Sequence, residues 1–332
     1  MRVLVKAEIR SQKSLADLTG TLDELGIERS LVQKLDSDFP SNADMLLVLG
    51  GDRDVLQSIH QMKDRSIPIL GVNATDEKSF LTEASLRDLR QSLRRIKQAE
   101  YTVEEAPLLN MIVDGKELPQ AANELAVFPY KSATLVEYLL SVDNDVLWRD
   151  ESDGLIISTP IGSTAYSMSA GGPIVLPKAG VFTVISVNSL DVTRRPIIIS
   201  QESKIQITEI TSRYECEVII DGIYRSRVSH NVVASKSPDS ALIVRLPEVS
   251  SAVDRMARKV RLSQDLLKMP PSAKLILKTL EYEGSLSQKD LAARTMLPDR
   301  TTRLAISILL TRGLIQRKQL LGDTRQKIYT VV

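Results

Sequence analysis

The chain is poor in the residues that build several familiar kinds of site. One cysteine in 332 residues excludes a disulfide framework, and with two histidines it leaves too few donors for a protein-built Cys/His zinc site. Cys216 lies in an apolar-flanked run and reads as an inert strand residue. Aromatic residues make up only 4%, which argues against a surface that stacks single-stranded nucleic acid. No run approaches the roughly 18 apolar residues of a membrane span, and the start MRVLVKAEIR lacks the apolar core of a signal peptide. The expectation is a soluble cytoplasmic protein without a membrane partner. Its 43% apolar content is enough to bury more than one core.

Net charge is also nearly absent, at +1, but that sum hides a division. Residues 1–253 hold 27 basic and 35 acidic side chains, whereas residues 254–332 hold 16 and 7. An acidic body with a basic tail points to a tail that faces nucleic acid, a partner or the body's own acidic surface.

The opening 100 residues alternate strand and helix signals. Arg2–Ile9 reads as a strand, Ser14–Leu25 as a helix stopped by Gly26, and Met45–Leu49 as a strand apolar on both faces that runs into Gly50-Gly51-Asp52. A helix with Val55, Leu56 and Ile59 follows, then a buried strand over Ile67–Val72. An amphipathic helix from Ser85, taken as its N-cap, carries Leu86, Leu89, Leu93 and Ile96. This is the rhythm of an α/β domain over residues 1–100. Residues 101–252 change character, with short β-branched runs such as Leu108–Val113, Glu124–Phe128, Leu155–Ser158 and Phe182–Val187 broken by Gly, Pro and Asp-Gly turns. They predict a second, mostly β domain. Residues 253–270 read as a basic helical linker. Residues 271–332 read as three helices (Ser272–Tyr282, Gln288–Thr295 after Ser287 as N-cap, Arg300–Thr311) and a hairpin around Gly322-Asp323, the outline of a winged helix-turn-helix.

Chemistry concentrates in Asp153–Ile174, DGLIISTPIGSTAYSMSAGGPI, where small and hydroxyl residues crowd behind an apolar strand. Such a loop offers backbone N–H groups, hydroxyls and close approach to a polar ligand. With GGD at 50–52, GVN at 71–73, FLT at 80–82, NE at 123–124, RPI at 195–197 and DG at 221–222, all in order, the chain resembles the NAD kinase family. The resemblance implies a two-domain NAD kinase-like fold, α/β then mostly β. It also implies ATP as phosphoryl donor with Mg2+, NAD as acceptor at its ribose 2′-hydroxyl, and a homodimer or homotetramer.

By position, the resemblance implies that Asp52 is the acid/base carboxylate. Asn73, Asn123, Glu124, Asp153 and the run Thr164, Ala165, Tyr166, Ser167, Met168, Ser169 would hold the dinucleotide. Gly50, Gly51 and Arg53 would meet phosphate. On the residues alone Asp52 equally reads as a helix N-cap, Tyr166 as core filler, and Asp153 and Asp221 as turn residues.

The chain departs from the family where phosphate would bind. Its first motif continues as Arg53-Asp54 where the family has Gly-Thr, its second loop, Ala74–Ser79, has no glycine, and Ile161 replaces a threonine. Two readings follow. In one, Arg53 or Lys78 replaces backbone contacts with cationic ones and the protein is an active kinase. In the other, the donor side has decayed and the chain is an NAD(H)- or NADP(H)-sensing regulator that acts through its C-terminal helices. Retention of Asp52 favours the kinase. In the C-terminal segment Arg300, Thr301, Thr302 and Arg303 open the last helix, where they would reach a DNA major groove. Oligomer contact or domain docking is the competing use of the same segment.

Overall fold

The computed structural model describes residues 1–7, 12–33, 35, 43–62, 66–74, 79–131, 134–247, 269–312, 314–320 and 323–331. Among them the chain forms two compact units, residues 1–247 and 269–331.

The first unit begins with β1 (Arg2–Ala7), α1 (Gln12–Glu24), β2 (Glu28–Val32), β3 (Met45–Gly50), α2 (Asp52–Gln61), β4 (Ile69–Asn73), β5 (Thr82–Ser85) and α3 (Leu89–Lys97). These strands pair in parallel in the order β2-β1-β3-β4-β5. All six residues of β3 are buried, and they divide by parity. Met45, Leu47 and Leu49 pack with Leu18, Leu22, Leu93 and Ile96 of α1 and α3, whereas Leu46 and Val48 pack with Val55 and Ile59 of α2. A strand covered by helices on both faces has no polar positions, which is why the sequence shows a continuous apolar run there. One boundary differs from expectation. Ser85 ends β5 rather than capping a helix; its N–H donates to Asp88 Oδ1 at 2.7 Å, and Asp88 is the N-cap of α3.

The β-rich half contains β6 (Thr102–Val113), β7 (Lys116–Glu117), β8 (Glu124–Pro129), β9 (Val136–Val142), β10 (Asp145–Ser152), β11 (Gly154–Ser158), α4 (Tyr166–Ser169), β12 (Val181–Val187), β13 (Ile197–Ser200), β14 (Ile205–Ser212), β15 (Cys216–Ile220), β16 (Tyr224–Val228) and β17 (Val232–Arg245). Six strands form one antiparallel sheet, β13-β12-β11-β8-β15-β16. The others join the parallel strands in a continuous eleven-stranded sheet, because β17 pairs with β6 along its length and meets β4 at Ile243–Ile69. The two halves therefore share a sheet. Leu125, Val127, Leu155, Ile157, Phe182 and Val184 of the six-stranded sheet face Leu109, Met111, Leu140, Ile205, Ile207 and Val232 of the other across one core. The hairpin β9–β10 went unread in the sequence. Its turn residues Asp143 and Asn144 both take positive φ, 52° and 74°.

The second unit has α5 (Pro271–Glu283), β18 (Leu286–Ser287), α6 (Gln288–Thr295), α7 (Asp299–Thr311), β19 (Ile315–Leu320) and β20 (Asp323–Val331), with sheet order β18-β20-β19. Ile276, Leu280, Leu291, Ala305, Leu309, Ile315 and Tyr329 form its core. Ser287 caps α6 as expected, accepting from Asp290 N–H at 3.2 Å while Asp290 returns the bond. The expected basic linker lies, except for its last two residues, outside the described residues.

Candidate active site

The expected site residues fall at the ends of buried strands. Gly50 ends β3 beside Asn73, the last residue of β4, and Asp52 opens α2. The carboxylate of Asp52 does not cap its own helix. Its Oδ1 accepts from Ser79 Oγ, from Phe80 N–H at 2.8 Å and from Leu81 N–H at 2.7 Å; Oδ2 shares the Phe80 N–H at 3.0 Å. The FLT motif thus orients this carboxylate through its backbone.

Capping falls to Asp54, whose Oδ2 accepts from Gly51 N–H at 2.8 Å. Asp54 also explains why residue 50 is glycine, since a Cβ there would lie 2.1 Å from Asp54 Oδ2. The N–H of Gly51, offered to phosphate on the sequence reading, is occupied by this chain's own carboxylate. Arg53 is exposed on the first turn of α2. Asp76, Glu77 and Lys78 lie outside the described residues.

A second aspartate organises the Asn123–Glu124 loop. Asp221, at φ +49°, and Gly222, at +66°, make a left-handed turn after β15. The Asp221 carboxylate accepts N–H bonds from Ala122 at 2.8 Å, Asn123 at 2.8 Å and Glu124 at 2.9 Å, and it meets His60 Nε2 at 2.8 Å. From the opposite side Thr159 grips the same loop, with Oγ1 donating to Ala122 O at 2.6 Å and N–H to Asn123 O at 2.9 Å. Gly162 packs so closely that a Cβ would sit 2.0 Å from Asn123 O. The small residues of the long block therefore serve first to let two backbone segments touch.

The remaining expected residues divide. Asp153 is half-buried and accepts from Asn188 Nδ2 at 2.7 Å. Thr164, Ala165, Tyr166 and Met168 are half-buried and Ser169 is exposed, all leaving surface for a ligand. Tyr166 also stacks on Phe128, with ring centroids 5.8 Å apart. Ser167 does not fit the expectation, because it is 0% exposed and closed over by Gly172.

Behind the Asp52 loop lies a buried charge cluster that sequence reading missed. Arg245, the last residue of β17, donates Nη1 to Glu83 Oε1 at 2.7 Å and Nε to Glu104 Oε2 at 2.9 Å. Burial works against the guanidinium charge, but Glu104 and Glu83 more than offset it and hold Arg245 above its ordinary range. Glu83 follows the FLT motif by one residue, so this cluster backs the loop that holds Asp52. Neither His60 nor Arg245 stands in a recognisable local motif. Their partners are 161 and 162 residues away in sequence, and only the fold brings them together.

Comparison with known proteins finds relatives of both halves of the first unit. Residues 6–101 match the ATP-NAD kinase N-terminal domain and residues 122–246 the ATP-NAD kinase C-terminal domain. The chain is 35% identical over 234 residues to an NAD kinase of Methanothermobacter thermautotrophicus, covering 67% of this chain and 82% of that protein. It is 39% identical over 185 residues to one of Heliobacterium modesticaldum, covering 54% and 64%. Among solved structures, an NAD kinase from Archaeoglobus fulgidus in complex with ATP superposes with a TM-score of 0.68 at 28% identity, covering 79% of this chain and 99% of that one. A yeast NADH kinase complexed with NADH shares the fold, with a TM-score of 0.66 at 17% identity over 79% and 86% of the two chains.

Proposed function

The chain belongs to the NAD kinase family, and we propose that it makes NADP by moving the γ-phosphoryl group of ATP to the adenosine ribose 2′-hydroxyl of NAD, with Asp52 as the proton-accepting carboxylate. The observation that carries this assignment of roles is a pair of anchored aspartates. Asp52 is aimed by the amides of Phe80 and Leu81, and Asp221 gathers the amides of Ala122, Asn123 and Glu124.

In the proposed reaction the 2′-oxygen attacks the γ-phosphorus in line as the bond to the β-phosphate oxygen breaks. The hydroxyl proton passes to Asp52, and ADP leaves. Phosphoryl transfer asks mainly for positioning and neutralised charge. Asn123 and Glu124 would hold the ribose and adenine, helped by Asn73, Asp153, Thr164, Ala165, Tyr166, Met168 and Ser169. ATP enters as its Mg2+ complex, its phosphate oxygens supplying the hard ligands that this cation prefers. Since Asp54 engages the Gly51 N–H, a cation, Arg53 or Lys78, would meet the donor phosphates in place of backbone contacts. The sensor reading finds no support among the relatives named above, which are kinases.

The test is NADP formation by the purified full-length chain from NAD, ATP and Mg2+. Asp52→Asn should lower kcat by about 10²-fold or more, the usual contribution of a positioned acid/base group. Unchanged turnover would remove Asp52 from the chemistry.

The same reading makes the enzyme a homo-oligomer in the cytoplasm. Exposed apolar side chains at Val146, Leu190, Val192 and Ile198, near the edge strands β10 and β13, supply surface for a second subunit. No helix among the described residues is long and apolar enough to cross a membrane.

For the C-terminal unit we propose a winged helix-turn-helix that binds duplex DNA. Support comes from its element order, its sheet order and the outer face of α7, where Arg300, Arg303, Leu304 and Ser307 are exposed. Thr301 is half-buried, and Thr302 is 0% exposed with its hydroxyl directed to Leu297 O at 3.4 Å, so Thr302 belongs to the core and not to a base-reading surface. Duplex binding should weaken linearly with the logarithm of salt, and Arg303→Ala should reduce that slope by about 1. Salt-independent binding would refute the proposal.

A further inference from the structure

We infer that His60 is a positioning residue for the kinase reaction, setting the Asn123–Glu124 loop relative to Asp52 through Asp221. The inference rests on the reading of Asn123 and Glu124 as dinucleotide residues. The Asp221 side chain is 0% exposed and that of His60 only 7%. Oδ1 of Asp221 takes the N–H groups of Asn123 and Glu124, and Oδ2 takes that of Ala122 together with His60 Nε2. An ionised carboxylate offers about four acceptor positions, so His60 completes the set. Because the carboxylate can only accept, the proton of His60 must sit on Nε2.

Three of these four donors belong to consecutive residues of one loop. The loop and the carboxylate therefore move as a single body. The fourth donor comes from a different half of the unit, on α2, the helix whose first residue is Asp52. Eight residues separate Asp52 from His60, a rise of about 12 Å along a rigid helix. One end of α2 is fastened to Phe80 and Leu81 through Asp52, and the other is fastened to the Asn123–Glu124 loop through His60. A short helix tied at both ends acts as a gauge between the acid/base carboxylate and the dinucleotide loop. A buried pair serving stability alone would affect both substrates alike. A gauge acts on NAD binding and turnover, since Asp221 grips the loop that binds NAD.

The test compares full-length His60→Gln, His60→Asn and His60→Leu with wild type in three measurements: steady-state NADP formation, NAD and ATP binding by calorimetry, and thermal denaturation. The Gln amide N–H can reach where Nε2–H stood, whereas the Asn amide stops short. His60→Leu and His60→Asn should weaken NAD binding and lower kcat by about tenfold or more, with ATP affinity changed less than about twofold. His60→Gln should recover most of both. Wild-type kinetics in His60→Leu would overturn the inference, and so would equal losses for NAD and ATP that track the fall in Tm in all three variants. If His60→Leu fails to fold, the Gln–Asn contrast decides. If wild type forms no NADP, the kinase reading fails on its own, while the NAD-binding arm still tests the link.

Discussion

Replacing Gly162 with alanine adds one methyl group, and the structure specifies where it goes. The new Cβ would stand 2.0 Å from Asn123 O and 2.4 Å from Asn123 C, where ordinary contact begins near 3.4 Å. Gly162 is not among the residues at positive φ, so the alanine backbone is unstrained and the effect is steric alone. Both contacts are backbone atoms, which cannot swing aside as a flexible side chain does. The Asn123 peptide must retreat by about 1 Å, an overpacking that costs about 1–3 kcal/mol. That shift also stretches Thr159 N–H to Asn123 O, now 2.9 Å, and Asn123 N–H to Asp221 Oδ1, now 2.8 Å, at about 1 kcal/mol each.

Displacement of a binding loop on this scale lowers turnover by about 10²-fold in general. Gly162→Ala should therefore lose NADP formation in steady-state assays more severely than it loses stability in chemical denaturation. Gly20→Ala is the matched control. Gly20 is exposed within α1 with nothing near its missing Cβ, so alanine there should stabilise by about 0.5–1 kcal/mol and leave activity unchanged. A Gly162→Ala enzyme with wild-type kcat/KM and wild-type stability would refute the claim that Asn123 is held by this close approach.

Two further outcomes follow from buried charge. Arg245→Leu removes the cation that Glu83 and Glu104 share and should destabilise the first unit by about 3–5 kcal/mol in denaturant melts. Tyr138 donates to Asp150 Oδ2 at 3.2 Å and pairs with Ser186 Oγ at 2.6 Å. Burial is the main force raising its hydroxyl pKa, opposed by the hydrogen bonds to Ser186 and Ser152, while the Asp150 charge adds to the rise. A group raised in the folded state contributes stability below its unfolded pKa, about 10, and loses it as pH climbs further. Tyr138→Phe should cost about 1 kcal/mol at neutral pH yet flatten the loss of stability above pH 10. An equally steep alkaline decline in the variant would assign it elsewhere.

Local pattern carried much of the architecture into the sequence. Met45–Leu49 was legible because a strand covered on both faces has no polar positions, and Ser287 because a capping box uses neighbours three residues apart. Asp52, Asn123 and Glu124 were legible only through ordered motifs, which name positions without giving partners. The hairpin β9–β10 was not legible, since its alternation is weak and its turn signal is Asp143-Asn144 without glycine. Thr302 and Ser167 are fully buried, which was not legible because sequence does not say which side of a helix meets the core.

By itself the sequence determined the α/β and β-rich halves, the basic tail and the family, all of which follow from periodicity, composition and collinear motifs. Tertiary structure alone decided what each carboxylate does. Asp52 is aimed by a loop, Asp54 takes the helix N-terminus, and Asp221 ties His60 to the Asn123–Glu124 loop. Those roles depend on donors drawn from up to 161 residues away. A carboxylate's function is set by which hydrogen-bond donors surround it in space, and chain order does not encode that.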